Sequence, residues 1–127
     1  LKSIQIQVTS IELKKLEKMI PLTKIEEKLI VEILEQFDFE KCKIVMDHLN
    51  WTWGFTNQVP TLQVLKDSAR DRITRAIEGI RSEEKWSHHH PYMCSSGGLC
   101  AYVWKNRYGR ICDIKLEFIL TEWNVCH

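Results

Sequence analysis

The sequence predicts an α+β domain, with a helical hairpin packed on a small antiparallel β-sheet and an N-terminal strand and two helices before it. Three observations carry this. Leu62, Leu65, Ala69, Ile73, Ala76, Ile77 and Ile80 fall on one face of a five-turn helix, the 3.6-residue period of an amphipathic helix. Residues 111–121 alternate instead, with Cys112, Ile114, Leu116, Phe118 and Leu120 on one side and Asp113, Lys115 and Glu117 on the other. That period of two describes a strand buried on one face. Between the helices lies a corner, Trp51-Thr52-Trp53 through Val59-Pro60-Thr61.

The elements follow in order. Ile4, Ile6 and Val8 alternate with Gln5 and Gln7, as in a strand. Thr9 to Glu12 has the capping-box spacing, and a short helix with Leu13, Leu16, Met19 and Ile20 on its apolar face runs to Pro21. Thr23 to Glu26 repeats that spacing before a second helix whose stripe is Ile25, Leu29, Ile30, Ile33, Leu34 and Phe37. Asp38 caps a third helix carrying Cys42, Val45, Met46 and Leu49, and Gly54 is the residue suited to its C-cap. Pro60 holds Val59 extended, and Thr61 is the N-cap of the long helix. Residues 82–98, with Pro91 and Gly97-Gly98, are expected to be irregular. Leu99 to Trp104 is a strand, residues 106–110 a turn with Gly109 in a left-handed position, and the alternating strand follows. The chain is expected to form one domain, 1–127, with residues 1–36 an N-terminal strand-helix-helix extension and 37–127 the core.

Composition narrows the function classes. The chain has 127 residues, 18 basic against 17 acidic, so no charge excess advertises a nucleic-acid or membrane surface. Arg70, Arg72, Arg75 and Arg81 cluster near Lys66, but Asp67, Asp71 and Glu78 interrupt them, and nucleic acid is not expected as a partner. No apolar run approaches the ~20 residues of a membrane span, and the first residues lack a signal-peptide core. Five cysteines, an odd count, speak against a disulfide framework and for a reducing, cytoplasmic setting.

Candidate chemistry concentrates in residues 86–104. His88, His90, Cys94 and Cys100 are of zinc-binding type, yet His88-His89-His90 are adjacent and Cys94 and Cys100 are six apart, unlike the paired spacings of structural zinc sites. A solvated loop explains them better, and no metal or other cofactor is expected. Cys94, Ser95 or Ser96 could serve as a nucleophile only with a base and an orienting group in reach. No phosphate-binding glycine motif is present. The paired carboxylates Glu26-Glu27, Glu83-Glu84 and Asp67 with Asp71 read as solvated helix faces. Five tryptophans remain. Trp51, Trp53 and Trp123 are expected to pack the core and its corner. Trp86 and Trp104, with Tyr92, Arg70 and Arg75, are the candidate binding residues, because aromatics and arginine dominate interface hot spots.

Several segments resemble a family of small uncharacterised proteins of bacteriophages and prophages. They are residues 43–53 (Lys43 to Trp53), Val59-Pro60-Thr61, Ser95-Ser96-Gly97-Gly98-Leu99, and residues 116–123 (Leu116 to Trp123). The resemblance covers residues ~39–125 and departs at Leu99, where such proteins carry an aromatic. It implies no catalytic residue or substrate; it implies a phage accessory protein, a class that includes inhibitors of host enzymes and host defence. The expected function is therefore non-enzymatic binding to a host protein in the host cytoplasm. One alternative is a protein that sequesters a nucleotide signal through Trp stacking and Arg70 or Arg75. Another is a metal- or thiol-dependent enzyme centred on residues 88–100. The N-terminal strand could either extend the sheet or serve as an arm that joins two copies into a homo-oligomer.

Overall fold

The computed structural model describes residues 21–53, 57–83, 85–96 and 98–119. Among them the order is α1 (Lys24–Gln36), α2 (Phe39–His48), α3 (Leu62–Ser82), β1 (Tyr92–Ser96), β2 (Leu99–Lys105) and β3 (Ile111–Phe118). The strands form one antiparallel sheet in the order β1-β2-β3. The fold is α+β. The expected N-terminal strand and first helix, Gly54 and Trp123 lie outside the described residues.

Each helix starts where its capping residue stands. Thr23 and Glu26 form a reciprocal capping box, Asp38 accepts from the Lys41 amide, and Thr61 accepts from the Val64 amide. The end of α2 differs from expectation. Asn50 takes the left-handed conformation (φ 49°), the Trp51 amide donates to the Met46 carbonyl at 2.9 Å, and the Asn50 amide donates to Asp47 at 3.2 Å. This is a Schellman motif four residues before Gly54. It delivers Trp51 directly from the helix end into the core, where the residue is 1% exposed.

The region expected to be irregular contains β1. Ser96 pairs with Leu99, so β1 and β2 are joined by a tight connection, and in it Gly98 has φ +90°. Gly98 also makes room for Trp51, whose ring carbon would stand 2.9 Å from an added Cβ. Trp51 in turn packs on Phe118, with ring centroids 5.3 Å apart.

In β2 the odd residues face the helices: Leu99, Ala101 and Val103 are buried, paired with Phe118, Leu116 and Ile114 of β3. Cys112 does not continue that face, contrary to the alternation in sequence. Trp104 pairs with Asp113 and Lys105 with Ile111, so Cys112 is an extra residue at a bulge; it is exposed and Ile111 is buried instead. The layering also differs from a simple hairpin on a sheet. Helix α3 lies across all three strands, α2 packs on α3, and α1 packs on β3 and α3. Ile30 of α1 is fully buried in the shared core.

Three charged side chains enter this core with partners. Lys105 donates from Nζ to the carbonyls of Ile80 (3.3 Å) and Glu83 (2.5 Å), capping the C-terminus of α3 with a cation. Arg72 donates to the Ser96 and Ser68 carbonyls at 3.1 and 3.0 Å and lies over the Trp53 ring at 5.4 Å. Burial lowers its pKa from the ordinary arginine value. Glu26 was expected on a solvated face; instead it is 4% exposed and paired with Arg81. The cap position explains this, since the carboxylate bends back to the Thr23 amide at 2.9 Å and meets the last turn of α3.

Gly79 marks a close contact between α3 and β1. A Cβ there would meet the Tyr92 ring at 2.3 Å. In a helix interior Gly→Ala ordinarily stabilises by about 0.8–1 kcal/mol. Here Gly79→Ala is expected to destabilise by about 1–3 kcal/mol through overpacking. In a Tyr92→Ala background the same substitution should stabilise. Urea unfolding of the four proteins measures both signs.

Candidate functional site

The pleat sorts the sheet into two faces. Opposite the helices, the register builds three rungs: Met93–Tyr102–Lys115, Ser95–Cys100–Glu117, and Trp104–Asp113. Among the described residues no element covers this face. Met93 is 54% exposed, Asp113 and Ser95 are exposed, and Tyr102 and Trp104 are half-buried.

Its centre is aromatic. The Tyr102 and Trp104 rings stack at 6.3 Å with 29° between their planes. The Lys115 ammonium lies 5.6 Å from the Tyr102 ring centroid, and its carboxylate neighbour Glu117 is 3.8 Å away. Desolvation, and then the Glu117 carboxylate, raise the Tyr102 phenol above its ordinary pKa. Burial likewise raises the Cys100 thiol, which leaves it a poor nucleophile near neutral pH. The arrangement is a half-buried aromatic pair with an apolar flank at Met93 and charged groups along β3. Such a surface suits contact with another macromolecule.

The candidate binding residues do not converge. Trp104 lies on the uncovered face. Trp86 and Tyr92 lie on the helix side of β1: Tyr92 rests on Gly79, Trp86 meets it edge-on at 5.5 Å, and the indole N–H donates to the His90 carbonyl at 2.8 Å. Arg70 and Arg75 are exposed on α3, in the layer behind the sheet, and Arg75 pairs with Asp71 at 2.9 Å.

The His/Cys loop does not gather either. The His88 and His89 rings lie tilted at 45° with centroids 3.8 Å apart, and His90 lies in the turn. Cys94 pairs with Ala101 and Cys100 with Ser95, so the two thiols occupy opposite faces of the sheet. The described residues hold no group of three or more His, Cys, Asp or Glu that could bind a metal ion. Cys42, Cys94, Cys100 and Cys112 are free thiols, and no described helix is long and apolar enough to cross a membrane.

Met93, Tyr102 and Lys115 were not singled out by sequence. The even positions of β2, Cys100, Tyr102 and Trp104, already carried the signal for the aromatic face; Met93 was hidden because β1 was not recognised as a strand. A second feature was also missed: a cavity of about 500 Å³ lined by Thr23, Ile25, Glu26, Arg81, Asn106 and Arg110, among others, where α1, the end of α3 and the β2–β3 turn meet. Comparison of the chain with protein-family models, with curated proteins and with solved structures gives no match.

Proposed function

We propose that this chain is a non-enzymatic binding protein whose contact surface is the uncovered sheet face, and that it modulates or inhibits a host protein in the host cytoplasm, as its resemblance to phage proteins implies. The observation that carries the reading is the stacked Tyr102–Trp104 pair beside exposed Met93, an aromatic centre held on the central strand with no described element over it. Truncating such an anchor typically costs at least about 2 kcal/mol of binding energy.

The test is affinity capture from bacterial lysates. The wild-type chain should retain a partner in stoichiometric amount. Trp104→Ala should lose it, by ~30-fold or more in affinity, for a 2 kcal/mol hot spot. Arg70→Ala and Arg75→Ala, in the layer behind, should bind normally. Loss of the partner with Arg75→Ala and retention with Trp104→Ala would contradict the proposal.

The cavity beside Glu26 and Arg81 supports a second reading, a small-ligand binder, at a place different from the Trp and Arg residues that sequence alone favoured. Its volume falls within the range of ligand pockets. Native mass spectrometry of freshly purified protein would show a retained small molecule if this reading holds.

A further inference from the structure

The two edges of the sheet are protected very differently. The outer edge of β3 carries a bulge at Cys112 and three charged residues, Asp113, Lys115 and Glu117. Both devices discourage a second strand from pairing there. Strand β1, the opposite edge, is Tyr92-Met93-Cys94-Ser95-Ser96. It has no charge, no internal proline and no bulge, and among the described residues it pairs on one side only, with β2. An edge of this kind presents a row of unpaired amide and carbonyl groups to any extended chain.

The sequence of β1 indicates which chain fits. The strand is five residues long with Cys94 at its centre. Antiparallel pairing with a second copy about a two-fold axis through Cys94 sets Tyr92 opposite Ser96, Met93 opposite Ser95 and Cys94 opposite Cys94 of the other copy. Each large side chain meets a small one, and no like charges meet. Cross-strand pairs of this kind are the unit of sheet stabilisation, and a surface that is its own complement is what a two-fold interface requires.

We propose that two copies of this chain associate through β1, forming a continuous six-stranded sheet in the order β3-β2-β1-β1-β2-β3. The uncovered faces then join, and the Tyr102–Trp104 pairs of both copies lie on one surface. The inference concerns self-association alone and stands whether or not that surface binds a host protein.

Sedimentation and light scattering at about 100 µM chain test it, since self-association follows mass action. The wild-type protein should show twice the 15.1 kDa chain mass, and Met93→Lys, which places a charge on the edge, should show the single-chain mass with an unchanged circular dichroism spectrum. Directly opposed antiparallel residues have Cα atoms about 4.5–5.5 Å apart, within disulfide reach. Copper–phenanthroline oxidation of a Cys112→Ser, Cys126→Ser protein should therefore give a covalent dimer, and adding Cys94→Ser should abolish it. A single-chain mass for the wild type overturns the proposal. A dimer that survives Met93→Lys, or that does not cross-link through Cys94, overturns it in favour of another surface.

Discussion

Replacing Trp51 with alanine is expected to lower stability by about 3–5 kcal/mol, a large share of the ~5–15 kcal/mol that holds a domain of this size together. Trp51 is the largest of the side chains less than 2% exposed. It arrives from the Schellman turn that ends α2, fills the space left by Gly98 in the β1–β2 turn, and packs on Phe118 of β3. Trp104→Ala should cost much less, because its ring stacks on Tyr102 at a half-buried site. Thermal unfolding of the two variants should separate a tryptophan that holds the fold from one proposed to serve binding.

The second large effect is expected at the ion pair between Glu26 and Arg81. The Glu26 side chain is 6% exposed and that of Arg81 21%. Arg81→Met should cost about 3 kcal/mol, the lower end of the range for breaking a buried pair, because Arg81 keeps a fifth of its side chain in water. The cost arises from a carboxylate left in the core with only the Thr23 amide as a described partner. The paired change Glu26→Leu with Arg81→Met should recover most of the loss, since replacing both ions by apolar groups removes the desolvation penalty. Guanidinium unfolding of the two single variants and the double variant closes this cycle. It also tests whether α1 belongs to the cooperative unit formed by α3 and the sheet.

Helix positions were legible because their signals are local. Thr23, Asp38 and Thr61 cap the helices they were expected to cap, and the apolar stripe of α3 is the buried stripe. Strand β1 was not legible from apolar alternation, since Cys94, Ser95 and Ser96 do not alternate. Gly97-Gly98 between two short runs was the available hairpin signal. Cys112 misled because a bulge shifts side-chain parity and leaves no mark in composition. Glu26 misled because a capping residue can satisfy its helix end and still turn inward to a distant arginine; that partner is 55 residues away. The candidate site was legible only in part. Trp104 could be placed on the outer face by parity, whereas its neighbours Met93 and Lys115 depend on the register of three strands.

Site-specific photocrosslinking in bacterial cells decides whether the Tyr102–Trp104 face is the contact surface. A photoreactive residue at position Lys115, on β3 beside the aromatic pair and away from the β1 edge, is compared with one at Arg75 on α3, which is similarly exposed. Under illumination the probe at Lys115 should trap a host protein as a discrete covalent adduct and the probe at Arg75 should not. An adduct at Arg75 with none at Lys115 would place the contact on α3 and not on the sheet.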